Sequence, residues 1–84
     1  MNIKVINSDK TYKCILTYHD DEYNTDYMLY TDNSYNKDNS LKVYLSKYNP
    51  LSKEMIAQAI EDKKEYKKIK TIMNSILLNM NNQQ

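Results

Sequence analysis

The longest regular pattern of apolar positions lies in residues 60–80, in the last third of the chain. Its apolar side chains recur three and four positions apart, which is the period of one face of an α-helix. They are Tyr66, Ile69, Ile72, Met73, Ile76, Leu77 and Met80. Asp62 and Glu65 have the spacing of a capping box, in which the aspartate accepts from a first-turn amide and the glutamate reaches back to the cap. We therefore predict an amphipathic helix that begins at Lys63 and needs a partner surface.

Four shorter segments upstream alternate apolar and polar positions with a period of two, which predicts β-strands. They cover residues 2–6, 11–18, 26–31 and 41–48. Residues 20–25 and 32–40 are rich in Asp, Asn and Ser and are predicted to be loops. Because short connections favour antiparallel pairing, we expect an α+β fold, a small antiparallel sheet of three to four strands packed by the C-terminal amphipathic helix.

The alternation also assigns strand side chains to the two faces of the predicted sheet. In the second strand one face is predicted to carry Tyr12, Cys14, Leu16 and Tyr18. In the third strand Tyr27 and Leu29 oppose Met28 and Tyr30. In the fourth, Leu41, Val43 and Leu45 oppose Lys42, Tyr44, Ser46 and Tyr48. The pattern leaves open which face the helix covers.

Residues 51–60 fit two structures, a backward extension of the helix or a separate element. A continuous apolar stripe would place Asp62 at its centre, and an ionised carboxylate is costly in an apolar seam. The interpretation we favour is a short helical turn over residues 52–58, a break near Ile60 and a new helix start at Asp62. At the C-terminus, residues 79–84 are expected to fray.

Composition narrows the class of protein. A chain of 84 residues with net charge +1 and 40% hydrophobic residues is ordinary for one small domain. We place that domain in residues 1–80, with a frayed tail at 81–84. No apolar run is long enough to cross a bilayer and charged residues interrupt the start of the chain, so we expect a cytoplasmic protein without a membrane partner. Cys14 is the single cysteine, which excludes an intramolecular disulfide and a cysteine-based metal site.

An acidic group with a histidine at its edge is the first candidate for a metal or acid–base site. It consists of His19, Asp20, Asp21, Glu22 and Asp26. Consecutive carboxylates point in alternating directions and no second cluster completes a coordination shell, so a solvated hairpin loop is the favoured interpretation. The loop from Asp32 lacks the glycine and the bidentate glutamate of a calcium loop. Cys14 has only one histidine in the chain to activate it. We therefore expect no enzyme activity, no metal and no cofactor.

The polar face of the predicted helix is basic. Its five lysines are Lys63, Lys64, Lys67, Lys68 and Lys70. Residues 1–40 carry four lysines and seven acidic residues, a net −3, whereas residues 41–84 carry eight lysines and four acidic residues, a net +4. A basic helix start suits phosphate or an acidic partner, but without arginine it cannot make bidentate guanidinium contacts. The interpretation we favour is that these lysines are simply solvated. Binding of a protein partner ranks second and binding of nucleic acid third.

The order of aromatic and acidic residues resembles one small bacterial family. The resemblance is carried by Tyr18, Asp20, Asp21 and Glu22, by Tyr27, Met28, Leu29 and Tyr30, by Val43, Tyr44 and Tyr48, and by Ile60, Glu61, Asp62, Lys63, Lys64, Glu65, Tyr66 and Ile69. Over residues 14–77 the chain is similar to the domain of unknown function twelve-ninety-two family of low-GC Gram-positive bacteria. The resemblance implies a short sheet followed by a C-terminal helix, with Tyr66 where members usually carry tryptophan and Asn24 where many carry glycine.

The family has no established activity, so the resemblance implies only a frequent gene neighbourhood beside a Holliday-junction-resolvase-like nuclease. Nine tyrosines and twelve lysines, with no Gly, Phe, Trp or Arg, reflect the A/T-rich codons of a low-GC genome. Tyrosine is still favoured at interfaces. We predict a small non-enzymatic protein-interaction or regulatory module, or alternatively a nucleic-acid-associated accessory protein that uses the basic helix face. The candidate partner-binding residues are Tyr44, Tyr48, Lys63, Lys64, Lys67 and Lys68.

Overall fold

The computed structural model describes residues 3–5 and 11–81 of the chain, with side chains for residues 11–80. Its elements are the strands β1 (Ile3–Val5), β2 (Lys13–Asp20), β3 (Thr25–Thr31), β4 (Tyr44–Tyr48) and β5 (Ile56–Gln58), followed by the helix α1 (Lys63–Asn81). The strands form one antiparallel sheet in the order β1-β5-β4-β3-β2. The predicted α+β fold is therefore confirmed, with one strand more than the three to four expected.

The segment between β4 and α1 is extended, and the helical turn predicted over residues 52–58 is wrong. Residues 52–54 form bends, and β5 then pairs with β1 on one side and with β4 on the other. Backbone amides and carbonyls need partners wherever they leave water. Two neighbouring strands supply such partners to β5, whereas an isolated helical turn would leave most of them unpaired.

The pairing of β2 with β3 contains a bulge that reverses the predicted alternation. Cys14 lies opposite Tyr30, yet Leu16 lies opposite Leu29, so β2 has one extra residue between them. An extra residue moves every later side chain to the other face. The prediction that four residues share one face is therefore wrong, because the bulge separates Tyr12 and Cys14 from Leu16 and Tyr18.

Each face of the sheet carries its own hydrophobic cluster. The face under α1 buries Tyr27 and Leu29 with Ile69 and Met73. The opposite face buries Met28, Tyr30 and Ala57. The alternation predicted for the third strand is confirmed. The fourth strand begins at Tyr44 and not at residue 41, but its predicted alternation holds, with Leu45 and the preceding Val43 on the first face and Tyr44 and Tyr48 on the second. The helix therefore covers the face of Tyr27 and Leu29.

The helix begins at Lys63 as predicted, but its capping box is half formed. Asp62 Oδ1 accepts hydrogen bonds from the backbone N–H groups of Lys64 (2.8 Å) and Glu65 (3.1 Å). Glu65 does not reach back to the cap, because its carboxylate accepts a hydrogen bond from the hydroxyl of Tyr27. The side chain that the sequence assigns to the cap is therefore used to hold the helix on the sheet.

The buried part of the apolar stripe of α1 is shorter than predicted. Ile69 and Met73 are buried, whereas Tyr66 and Met80 at the two ends are 38% and 48% exposed. The helix continues through Asn81, so the fraying predicted for residues 79–84 is wrong for 79–81, and the rest of that prediction lies outside the described residues.

Asparagine takes the place of glycine in the turns of this glycine-free chain. Asn24, Asn33 and Asn39 have φ angles of 45°, 64° and 69°. Asparagine tolerates this left-handed region better than other residues with a β-carbon. Asn24, where the family resemblance implies glycine, thus has the backbone conformation that glycine favours.

Candidate functional site

The carboxylate of Asp20 is buried between the β2–β3 turn and α1. Asp20 is 3% exposed, and its Oδ2 lies 3.0 Å from Lys68 Nζ and accepts from the backbone N–H of Tyr23 at 3.2 Å. Its Oδ1 accepts from the hydroxyl of Tyr18 at 3.0 Å. Burial by itself raises the pKa of Asp20, but these hydrogen bonds outweigh burial and hold the pKa below its usual range. The solvated acidic loop predicted from the sequence is therefore wrong for Asp20.

Lys68 ties the helix to this turn. Its Nζ also lies 3.4 Å from Glu22 Oε1 and 5.3 Å from the centre of the Tyr23 ring. The hydrogen bond to Asp20 raises the pKa of Lys68 and keeps the ammonium charged. Lys68 is therefore engaged within the fold, unlike the solvated, partner-binding lysine that the sequence suggests.

A second polar contact between the sheet and the helix centres on Glu65, which is also buried. Glu65 Oε2 accepts from the hydroxyl of Tyr27, and Glu65 Oε1 lies 3.6 Å from Lys47 Nζ on β4. Burial first, and then the hydrogen bond and charge of Glu65, raise the pKa of Tyr27, so its phenol stays protonated. Together with the Asp20–Lys68 pair, this contact fixes the position of α1 over the sheet.

The rest of the acidic group lies at the surface. His19 Nδ1 lies 3.1 Å from Asp26 Oδ1, and His19 Nε2 lies 3.5 Å from Asp21 Oδ1. Within the described part of the chain, no three His, Cys, Asp or Glu side chains are grouped so that they could hold a metal ion. Cys14 is half-buried, and burial raises its pKa, which favours the unreactive thiol.

A cleft of about 260 Å³ opens where β4 and β5 separate. Among the described residues, β4 and β5 are paired only at Lys47 and Gln58. After Gln58 the chain leaves the sheet and enters α1. The cleft therefore lies beside residues 44–46, with the start of the helix on its other side. Three aromatic side chains in its walls are Tyr30, Tyr44 and Tyr66, and two polar ones are Ser46 and Gln58.

Ser46 is one of the residues that line this cleft, and its hydroxyl group is buried without a hydrogen-bond partner among the described residues. The residue is 3% exposed. Most buried polar side-chain atoms in proteins are hydrogen-bonded, so such an atom needs an explanation. A serine hydroxyl can both donate and accept a hydrogen bond, so Ser46 Oγ is a polar group held close to the cleft with its bonding capacity unused.

Removal of this hydroxyl is expected to stabilise the protein. We predict that Ser46→Ala raises the free energy of unfolding by about 1 kcal/mol, because the desolvation cost of the hydroxyl is no longer incurred. Urea denaturation followed by circular dichroism measures the change. The control is Ser34→Ala, which removes a hydroxyl that donates to Asp32 Oδ1 at 2.5 Å and should lower stability. If Ser46→Ala is also destabilising, the hydroxyl of Ser46 is bonded in the folded protein.

The aromatic walls of the cleft differ in their contacts and exposure. Tyr44 stacks on Tyr30 with ring centres 5.3 Å apart, and its hydroxyl donates to Asp32 Oδ2 at 3.2 Å. Tyr66 comes from α1, is partly exposed, and has Lys70 Nζ 5.7 Å from its ring centre. Tyr44 was predicted from the sequence as a partner-binding residue and lies in the cleft. Tyr48 was predicted with it but packs against the cluster of Met28, Tyr30 and Ala57, outside the cleft walls.

The lysines predicted to bind a partner fall into two groups, those exposed to solvent and one that is paired within the fold. Lys63, Lys64 and Lys67 are exposed on α1, as is Lys70, while Lys68 is paired with Asp20. Tyr66 and Ser46 were not predicted as site residues. The helical period assigned Tyr66 to the apolar stripe, and nothing in the alternation of β4 distinguishes Ser46 from a solvent-facing residue. The signals for Tyr66 were its position in the first turn of the helix and the tryptophan that the family resemblance implies there.

Comparison with known proteins gives no family for the chain. No protein-family model, no curated protein and no solved structure matches it. The resemblance to the domain of unknown function twelve-ninety-two family thus stays a prediction. Within the described residues, no helix combines the length and the apolar character needed to cross a lipid bilayer.

Proposed function

We propose that this chain is a non-enzymatic protein-interaction module whose cleft between β4 and β5 receives a side chain of a partner protein. The observation that carries the proposal is the buried hydroxyl of Ser46, which has no partner among the described residues. Ser46 lines the cleft together with three tyrosines and four aliphatic residues. The exposed lining of the cleft is about equally polar and apolar, so it offers both apolar contact and hydrogen-bonding groups to a side chain.

The size of the cleft favours a side chain over a free small molecule or a cofactor. Its volume of about 260 Å³ is below the range of roughly 300–1,000 Å³ that pockets for small molecules usually have. An occupant with an apolar body and a polar tip would contact the tyrosines and bring its tip close to the Ser46 hydroxyl. The stacked pair of Tyr30 and Tyr44 supplies a wall that is already ordered, which lowers the entropic cost of binding.

The proposal predicts that Tyr66 is a hot spot for binding. Tyr66→Ala removes an exposed aromatic wall of the cleft, and truncating a hot-spot tyrosine typically costs at least about 2 kcal/mol, or roughly thirtyfold in affinity. Wild type, Tyr66→Ala and Tyr35→Ala are immobilised, nuclease-treated lysate of a low-GC Gram-positive host is applied, and retained proteins are quantified by mass spectrometry. A partner should be retained by wild type and Tyr35→Ala and depleted about tenfold or more with Tyr66→Ala.

Tyr35 is the matched control because it is 64% exposed and lies in the loop between β3 and β4, outside the walls of the cleft. Equal retention by Tyr66→Ala and wild type would show that the cleft is not the binding surface. Circular dichroism spectra of all three proteins establish that a loss of binding is not a loss of the fold.

A nucleic-acid-associated role is the second candidate, favoured by the exposed lysines of α1. Lys63, Lys64 and Lys67 lie within little more than one helical turn. Binding of this kind should weaken steeply with salt and with Lys64→Glu and Lys67→Glu. The pairing of Lys68 with Asp20 removes one cation from this surface, so the protein-binding role is preferred.

A further inference from the structure

We infer that the partner segment is acidic: one of its side chains occupies the cleft while neighbouring aspartate or glutamate residues lie along the lysines of α1. This inference rests on the proposed function and specifies the chemistry of the partner. It combines a feature close to the cleft, the hydroxyl of Ser46, with a charged surface that borders the cleft.

Tyr66 joins the two features. It is part of the cleft wall and belongs to α1, where Lys63 precedes it by three positions and Lys70 follows it by four. Residues at these spacings are neighbours on a helix surface, and Lys70 Nζ lies 5.7 Å from the ring centre of Tyr66. Lys67 lies between them in sequence and is also exposed. A segment that leaves the cleft over Tyr66 therefore meets a row of ammonium groups.

The lysines in this row are placed unfavourably for the stability of the helix itself. Lys47 and Lys68 form salt bridges with the buried carboxylates of Glu65 and Asp20, and neither lysine belongs to the row. Lys63 is the first residue of α1, where the helix dipole disfavours a cation. Like charges three and four positions apart, as in Lys63, Lys67 and Lys70, also destabilise a helix. An anionic partner would relieve both effects.

The length of the row fits a peptide better than a nucleic acid. Lys63 and Lys70 are seven residues apart, which is about 10 Å along a helix that rises 1.5 Å per residue. An extended segment spans that distance with about three residues at 3.3 Å each. A protein that depends strongly on phosphate contacts to bind DNA makes about 6–10 of them, and three lysines can contact only a few. Two or three carboxylates match it.

Three short synthetic peptides test the inference. Each carries one central tyrosine, whose body is apolar and whose tip forms hydrogen bonds, and the flanking residues are all glutamate, all glutamine or all lysine. The full chain labelled with ¹⁵N is titrated with each peptide, and amide shifts are recorded at Ser46, Gln58 and Tyr66. The glutamate peptide should shift these signals and bind about tenfold more tightly than the glutamine peptide, and the lysine peptide should bind most weakly.

Charge-reversal variants test whether the lysines of α1 cause the tighter binding of the glutamate peptide. Lys63→Glu with Lys67→Glu should abolish the advantage of the glutamate peptide. The control, Lys13→Glu with Lys37→Glu, changes the net charge equally at exposed positions on β2 and in the loop between β3 and β4, and should leave most of the advantage intact.

The outcomes separate this inference from the proposal on which it rests. Equal binding of the glutamate and glutamine peptides, with shifts at Ser46, would overturn the acidic partner and leave the cleft as a protein-binding site. An absence of shifts at Ser46 and Tyr66 with all three peptides would overturn both. Shifts that are larger with a single-stranded oligodeoxythymidine than with the glutamate peptide would overturn the inference in favour of nucleic acid.

Discussion

Replacing Met73 by alanine is expected to lower the free energy of unfolding by about 2–5 kcal/mol, the usual cost of truncating a large core side chain. Met73 is 0% exposed and packs with Tyr27, Leu29 and Ile69 beneath α1. Truncation leaves a cavity at the contact between helix and sheet. Because a domain this small has little stability to lose, its melting temperature should fall by roughly 10 °C or more.

Met80 provides the matched control on the same helix. It is 48% exposed, so Met80→Ala should change the free energy of unfolding by no more than about 0.5 kcal/mol. Urea denaturation followed by the circular dichroism of the helix gives both values. Similar losses from the two substitutions would contradict the orientation of α1 described above, because the orientation places only Met73 in the core.

Replacing Asp20 by alanine is expected to lower the free energy of unfolding by about 2–3 kcal/mol. The substitution leaves the hydroxyl of Tyr18 and the backbone N–H of Tyr23 without their acceptor, and Lys68 without its closest anion. Removing one partner of a fully buried ion pair costs about 3–5 kcal/mol. The loss should be smaller here, because the Lys68 side chain is partly exposed and its ammonium can become hydrated.

The neighbouring Asp21 is the control for this substitution. Its side chain is fully exposed at 102%, so Asp21→Ala should leave the free energy of unfolding within about 0.5 kcal/mol of the wild-type value. An equal effect of the two substitutions would mean that the local charge, and not the hydrogen bonds of Asp20, stabilises the turn.

The same carboxylate should make stability depend on acid pH. The pKa of Asp20 is lowered in the folded protein, so its contribution to stability is complete above the unfolded value of about 4. The contribution is lost as the pH falls through the folded value. Denaturation curves of Asp20→Asn should therefore show a weaker loss of stability below about pH 4 than wild type. Parallel pH profiles would contradict the lowered pKa.

The free energy of unfolding of Asp20→Asn should still fall somewhat with acid pH, because two other aspartates have lowered pKa values in the folded state. The hydroxyl and backbone N–H of Ser34 lower the pKa of Asp32, and those of Ser40 lower the pKa of Asp38. Both are turn contacts within one loop, and both are separate from the contact between Asp20 and α1. The difference between the two proteins, and not the slope of either, reports on Asp20.

Several features of the fold could be predicted because they depend on neighbours in sequence. The start of α1 at Lys63 follows from the cap at Asp62, whose carboxylate bonds the amides two and three residues later. The opposite faces of β3 follow from the alternation of Tyr27 to Tyr30. Of the predicted partner-binding residues, Tyr44 lies in the cleft wall and Lys63, Lys64 and Lys67 are exposed on α1, while their role in binding stays a prediction.

Other features depend on groups that are distant in sequence. The partner of Asp20 is Lys68 and that of Tyr27 is Glu65, and each pair is separated by more residues than any local pattern covers. The extended structure of β5 is also imposed by its neighbours, since its backbone groups bond to β1 and β4. Local periodicity favoured a helical turn there because it could not include these partners.

The sequence by itself therefore determined the fold class, the helix with its start, and the alternation within β3 and β4, because backbone geometry relates each residue to those two to four positions away. Only the tertiary structure decided which face α1 covers, which carboxylates are buried, and where β4 and β5 separate. The cleft arises from that separation. It brings Ser46 and Tyr66 together from elements that carry no common pattern, because packing and long-range hydrogen bonds set their distance.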